Sequence, residues 1–390
     1  MSMSRRDALI TITSASLTAV ATPRIGADDP PALTTPAASA WSSFRNGPQQ
    51  RGIANTKLTD NPKLKWEVVS RDGWVATCAI AGEHVYAPAL RGYLHCFHRD
   101  TGRELWKYRS IENPDEKAFA PGFKAAPLVT ADAVYAGDED GTLHAVSRTD
   151  GRGMWKFETG GEIAGGVTPY ENELLLASHD SFLYCLTKQG EEVWKFQTND
   201  RINCSPALSG NLTFVSGCDE HLRIIDVRNG METLDLPLKS ILIASPAIVG
   251  DMLYVGTHNG DVLAVNCRTG EIAWRYTGDR PMPYYASAAV TDDLVMVGSH
   301  DKLMHAIDRR TGEGRWTFST NARIESSAAV VDNRLFFGSA DRNLYGVSID
   351  DGSEVWKFSA GKAITAGVAI GEGCLVVGED DQNGRLRCFG

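Results

Sequence analysis

Apolar positions along this chain alternate with polar ones far more often than they recur every three or four residues. The stretch after Trp194 is representative: "INCSPALSG", "LTFVSG", "HLRIIDVRNG" and "METLDL" follow one another as short runs bounded by glycine, asparagine or aspartate. A period of two is the pattern of half-buried strands, and the bounding residues tolerate turn dihedrals. The unit therefore predicts four short antiparallel strands, A to D, joined by tight hairpins. Beyond residue 27 no stretch has the length and 3.6 spacing of an amphipathic helix.

The same unit recurs. Trp66, Trp106, Trp155, Trp194, Trp274, Trp316 and Trp356 sit in equivalent apolar stretches, and all but the first follow a glycine four residues earlier. Leu234 stands in the tryptophan slot of one further copy, four residues after Gly230, so that successive steps are 40, 49, 39, 40, 40, 42 and 40 residues. Four-stranded units of about forty residues repeated cyclically describe a β-propeller. The fold class is all-β, an eight-bladed propeller of four-stranded antiparallel blades. After Trp356 the sequence supplies strands A ("AITAGVAI"), B ("CLVVGE") and C ("RLRCF") and stops at Gly390. The missing strand D is expected in "KLKWEVV" around Trp66, closing the last blade with an N-terminal strand and removing an exposed sheet edge. The repeat tryptophans are expected in the core, packed between neighbouring sheets.

Charge and the chain start narrow the picture. With 49 acidic and 39 basic residues the net charge is −10 and no basic stripe is present, which argues against nucleic acid as a partner. No apolar run reaches 18 residues, so no transmembrane segment is expected. "MSMSRRDALI" places Arg5 and Arg6 before a weakly apolar stretch and a candidate cleavage site, Ile25-Gly26-Ala27, as in a twin-arginine export signal. The expected organisation is a signal peptide over 1–27, a linker and lead-in over 28–62, and the propeller over 63–390, in an exported, periplasmic protein. Within the lead-in, "WSSFRNGPQQRG" carries Trp41 and Phe44, which are expected to fold back onto the propeller surface.

The recurrence of x-(T/D)-G-x-x-x-W-x-(F/Y) resembles the repeat of pyrroloquinoline-quinone-type propellers. The strand A openings Ser205-Pro206-Ala207, Ser245-Pro246-Ala247, Ser287-Ala288-Ala289 and Ser327-Ala328-Ala329 are similar to that family too, over about residues 63–390. The resemblance implies one of two classes. One is the quinoprotein dehydrogenases, with the quinone (PQQ) and calcium in a central funnel. The other is non-enzymatic propellers, among them the scaffold of the outer-membrane β-barrel assembly machine. Family dehydrogenases carry adjacent cysteines; the eight here, at 78, 96, 185, 204, 218, 267, 374 and 388, include no adjacent pair. Nor does a calcium set of carboxylate and amide ligands align. The expectation is a non-catalytic binding or scaffold propeller with no cofactor and an unidentified protein partner at the funnel face. A PQQ-dependent dehydrogenase or quinone-binding protein is the alternative.

Cys96, Cys185 and Cys388 share a strand C slot with Ala145, Ala264, Ala306 and Gly346, which calls for a small buried side chain. Cys204 and Cys218 flank the Gly210-Asn211 hairpin of one unit, where a bridge is conceivable in an oxidising compartment. His179, His258 and His300 fall at equivalent B–C turn positions and are expected to cap turns rather than to bind metal. Ahead of strand A, Val75, Phe123, Ile163, Ile202, Leu242, Tyr284, Ile324 and Ile364 form an apolar slot between blades. The variable residues beside it, Lys124, Glu162, Arg201, Asn203, Tyr285, Arg323 and Glu325, are the candidates for interaction at the funnel face. No catalytic, cofactor-binding or metal residue is assigned.

Overall fold

The computed structural model describes residues 33–390 except positions 72 and 116. Among these residues there are thirty-two strands and no helix, arranged in eight four-stranded antiparallel sheets. Seven sheets are built from four consecutive strands each, and they form blades 1 to 7 over 79–109, 128–158, 168–197, 207–237, 247–277, 289–319 and 329–359. Blade 8 combines the last three strands, Ala369–Gly371, Cys374–Gly378 and Arg385–Phe389, with Leu64–Val69. Trp66 lies opposite Cys388, so the expected closure holds. The ring is continuous: the innermost strand of blade 1 packs against those of blades 2 and 8.

The period of two survives only on the outermost strands. Strand D of blade 3, Glu192–Gln197, alternates between exposed and half-buried positions, whereas the central strand Phe182–Thr187 is buried over its four middle residues. Strands B and C are covered on both faces by adjacent blades, so they read as continuous apolar runs.

The repeat motif is a staple between blades. Trp66 is buried, but the other repeat tryptophans are only half-buried, so they are not core residues in the expected sense. Every indole but that of Trp356 lies over the turn glycine of the next blade: a Cβ on Gly312, where φ is +77°, would come within 2.7 Å of Trp274. Each indole N–H also donates to a carbonyl across the blade boundary, from Trp66 to Arg99 (2.6 Å) round to Trp356 and Pro62 (3.2 Å). The small strand C slot is the cross-strand partner of this tryptophan, as in Cys96 with Trp106, Ala264 with Trp274 and Gly346 with Trp356. In blade 4, where leucine replaces tryptophan, the partner of Leu234 is Ile224. Volume lost on one strand is regained on the other, as close packing requires.

The lead-in folds back onto the propeller, and it does so on the inside: residues 39–54 run across the inner edges of the ring. Trp41 exchanges two 2.8 Å backbone hydrogen bonds with Ile80 and is fully buried. The carbonyls of Ser42, Pro48, Gln49, Arg51 and Gly52 then accept from Val129, Leu208, Ile248, Val290 and Val330, the strand A residues of blades 2, 4, 5, 6 and 7. The inner strands thereby pair backbone groups that would otherwise face an empty channel.

Candidate functional site

The funnel mouth is built by two sets of residues that the repeat brings together eight times over. The first precedes strand A. Its apolar slot is buried in every blade, but in blade 1 the occupant is Trp74, 1% exposed, not Val75. A Cβ on Gly378 would strike Trp74 as one on Gly298 would strike Ile324, which fixes the equivalence. Val75 belongs one position on, among the residues that face the funnel. The second set is the B–C turns, whose backbone N–H groups bond back to the approach to strand A, as His179 does to Glu162 (2.9 Å) and His300 to Pro283 (3.1 Å).

The resulting depression has a volume of about 300 Å³, and its walls include Lys124, Asn203, Tyr285 and His179. Its floor is the lead-in. Phe44 lines it, and behind Phe44 the Arg45 guanidinium, 1% exposed, donates to the carbonyls of Ala288 (2.7 Å) and Ala328. Among the described residues no carboxylate is bonded to it, and burial lowers its pKa to about 9. Gln50 donates to Ser205 and Pro206 carbonyls at 3.2 and 2.8 Å. The family-like serines form a ladder round the channel: the backbone N–H groups of Gly166, Ser205, Ser245 and Ser287 donate to the hydroxyls of Ser205, Ser245, Ser287 and Ser327 at 2.8–3.0 Å.

The seven sequence candidates resolve into two charged groups and three remaining residues. Lys124 lies 3.0 Å from Glu139 and 3.3 Å from Glu162. Burial works against its charge, but the two carboxylates outweigh it and hold the ammonium above its usual range. Across the mouth Arg323 donates to Glu325 (2.8 Å), which is also 2.9 Å from His300. Tyr285 sits between two histidines, with ring centroids 4.4 Å from His300 and 5.9 Å from His258. Asn203 donates to the Cys218 sulfur (3.2 Å), and the Arg201 side chain is exposed.

His179 thus lines the funnel, and His258 and His300 flank Tyr285, instead of capping turns. The hydroxyls of Ser178, Thr257 and Ser299 cap those turns, accepting from Asp180, Asp261 and Asp301 N–H groups. Nor are Cys204 and Cys218 bridged: Ile202 opposes Gly217, which staggers the two, and the Cys204 sulfur accepts from Ser216 inside the blade.

Sequence reasoning overlooked two buried pairs that look like catalytic dyads, His144–Asp138 (2.8 Å) and His305–Asp301 (2.9 Å). They occupy a position that in other blades holds Tyr184–Asp180, Tyr345–Asp341 and Arg223–Asp219. A slot filled equally by histidine, tyrosine and arginine serves to satisfy a turn aspartate, and its repetition identifies it as structural.

The fold is shared with proteins of differing chemistry. The structure matches BamB from Moraxella catarrhalis with a TM-score of 0.68 at 16% identity, over 84% of this chain and 97% of that one. It matches the quinohemoprotein alcohol dehydrogenase from Comamonas testosteroni with a TM-score of 0.74 at 11% identity, over 90% of this chain and 80% of that one. Among curated proteins, the beta-alanine-activating enzyme of Mus musculus is 28% identical over 112 residues, which are 27% of this chain and a tenth of that enzyme's length. The profile of the family described as outer membrane protein assembly factor BamB matches residues 57–172, 139–283 and 280–387, so with its eight-bladed quinone-type propeller the chain belongs to that family.

Proposed function

We propose that this chain is an exported, non-catalytic scaffold that binds a protein partner at the funnel mouth, as part of an assembly of the kind its family description names. The observation that carries the reading is the pairing inside the funnel. Its floor is sealed by Phe44 and Arg45, and its lysine and Arg323 are each paired with carboxylates, leaving a half-buried tyrosine between two histidines within a charged rim. An aromatic centre in a polar rim is the arrangement of a protein-binding hot spot. The export signal at Arg5 and Arg6 lies outside the described residues. Changing both to lysine is expected to hold the precursor in the cytoplasm, and unchanged processing would refute that part of the reading.

The likeness to quinoprotein dehydrogenases calls for a test of fit. A tricarboxylate quinone needs cations, yet Lys124 and Arg323 are engaged by carboxylates, and Glu139, Glu162, Glu325 and Asp380 make the mouth net acidic. Among the described residues no three histidines, cysteines or carboxylates converge as calcium ligation requires. The funnel does not fit the group.

A photocrosslinking residue at Tyr285 in the full chain, expressed in its own cell, is expected to give a discrete protein adduct that the same residue at Val355 on the outer rim does not. Dye reduction with alcohols in the presence of quinone and calcium, abolished by Lys124→Met, would instead establish the dehydrogenase.

A further inference from the structure

Cysteine fills the small strand C slot in three blades, at Cys96, Cys185 and Cys388, and the residue that opens strand B decides what each sulfur meets. The two positions sit diagonally on one face, because the slot pairs with the residue two further along strand B: Cys185 with Leu175 and Cys388 with Val376. In blade 3 the opening residue is Glu173, and the Cys185 thiol donates to its carboxylate at 3.2 Å. The diagonal therefore brings these two side chains into contact. In blade 1 the opening residue is His84; in blade 8 it is Cys374, and only here do two cysteines share the diagonal. The Cys388 thiol donates to the Cys374 sulfur.

The pair lies in the seam where the ring closes. From the closing strand, the Lys65 side chain runs across Gly390, whose absent Cβ would lie 2.8 Å from the lysine Cδ, and its ammonium comes within 3.6 Å of the Cys374 sulfur. The same ammonium bonds Asp100 of blade 1 at 2.6 Å, and the Cys388 sulfur lies 3.8 Å from the Arg99 carbonyl. Both cysteines are buried, and the Lys65 side chain, 30% exposed, covers them. The hydrogen bond from Cys388 holds the Cys374 thiol below its ordinary value; burial opposes this, and the Lys65 and Arg99 charges add to it. Once Cys374 ionises, one proton is held between two sulfurs beside a cation. The register does not favour a disulfide: diagonal Cα atoms lie about 7–8 Å apart, past the reach of about 7 Å for a bridge. An ion between the sulfurs spans about 4.6 Å, twice the zinc–sulfur bond length. Thiolates select soft copper(I), and a monovalent ion in the proton's place leaves the charge beside Lys65 unchanged.

We infer that Cys374 and Cys388 form a two-coordinate site for a soft monovalent metal ion, copper(I), with Lys65 as its counter-charge and cover. Binding is an exchange without redox: the ion bonds to each sulfur, the proton between them leaves to water, and no electron moves. Copper(I) titrated against bicinchoninate into the reduced, full-length protein without oxygen is expected to fill one site per chain. Cys374→Ala and Cys388→Ala install the residues that blade 2 holds at these positions, Ala133 and Ala145, and urea unfolding checks that each variant folds. Each should weaken binding by about a hundredfold or more, since a ligand is lost rather than an outer partner. Lys65→Met, which leaves both sulfurs in place, should weaken it by about tenfold. Cys96→Ala removes the slot cysteine of blade 1 and should leave the affinity unchanged. Parent affinity in the two blade 8 cysteine variants, an equal loss in Cys96→Ala, or a Cys374–Cys388 bridge found by mass spectrometry in protein isolated without reductant overturns the assignment.

Discussion

The funnel mouth and the insertion that makes the 49-residue step between Trp106 and Trp155 carry similar side chains and treat them differently. At the mouth, Lys124 and Arg323 each lie within about 3 Å of a carboxylate. Beside the insertion, which occurs once, Arg71, Arg91, Lys107 and Lys117 are all exposed. The mouth is made by the repeat, which sets each turn against the start of strand A in its own blade and the next. Lys124 and Arg323 there meet neighbours in a fixed geometry and become paired, whereas Arg201 is exposed. No repeated geometry sets the charges of the insertion.

The sharpest way to break the contrast is to remove what supports the mouth. Arg45→Ala strips two carbonyls of their donor beneath the funnel floor and is expected to cost about 3 kcal/mol in urea unfolding. Arg45→Lys should recover only part of this, because an ammonium does not span both carbonyls as the guanidinium does. Unchanged stability in Arg45→Ala would show that the floor does not depend on the guanidinium.

Blade 4 allows a smaller test of how far the repeat dictates its neighbours. Leu234→Trp alone overpacks against Ile224 and is expected to destabilise by about 1–2 kcal/mol. Adding Ile224→Ala should reverse most of that, a coupling of about 1 kcal/mol in a double-mutant cycle. Additive effects would mean that the two slots are not complementary.

Acid titration probes the closure of the ring. Burial disfavours the Glu379 carboxylate, but Arg387 and the N–H groups of Gly361 and Arg385 outweigh this and hold its pKa below the ordinary 4.5. A depressed carboxylate contributes stability above that pH and loses it as the pH falls through the folded value. Glu379→Gln should therefore be less stable than the parent at neutral pH, with the difference shrinking below about pH 4.5. A constant difference across that range would refute the pairing.

The ring itself was legible because tryptophan and glycine at a fixed offset are rare enough to count, and Leu234 was recoverable from Gly230 alone. Closure was legible because the last unit lacked a strand D that "KLKWEVV" could supply. Less legible were features set by contacts between blades. Nothing in "SHDS", "THNG" and "SHDK" tells that the serine or threonine caps the turn and the histidine faces the funnel. In blade 1 the slot slipped by one residue because Trp74 and Val75 are both apolar, and only the fit against Gly378 separates them. The lead-in was visible as "WSSFRNGPQQRG", but an arginine bonded to carbonyls inside the channel has no signature of its own. The insertion left one trace, the 49-residue step, which gave a place without its contacts.

The contrast between paired and exposed cations is tested most directly by measuring the folding stability of Lys124→Met and Arg91→Met side by side at low salt. Lys124→Met leaves Glu139 and Glu162 facing one another and is expected to cost up to about 1 kcal/mol, moderated by the 40% exposure of the lysine. Arg91→Met removes an exposed charge outside the repeat's turn contacts and should be close to neutral. High salt should narrow the gap between them. Equal losses in the two variants would contradict the account.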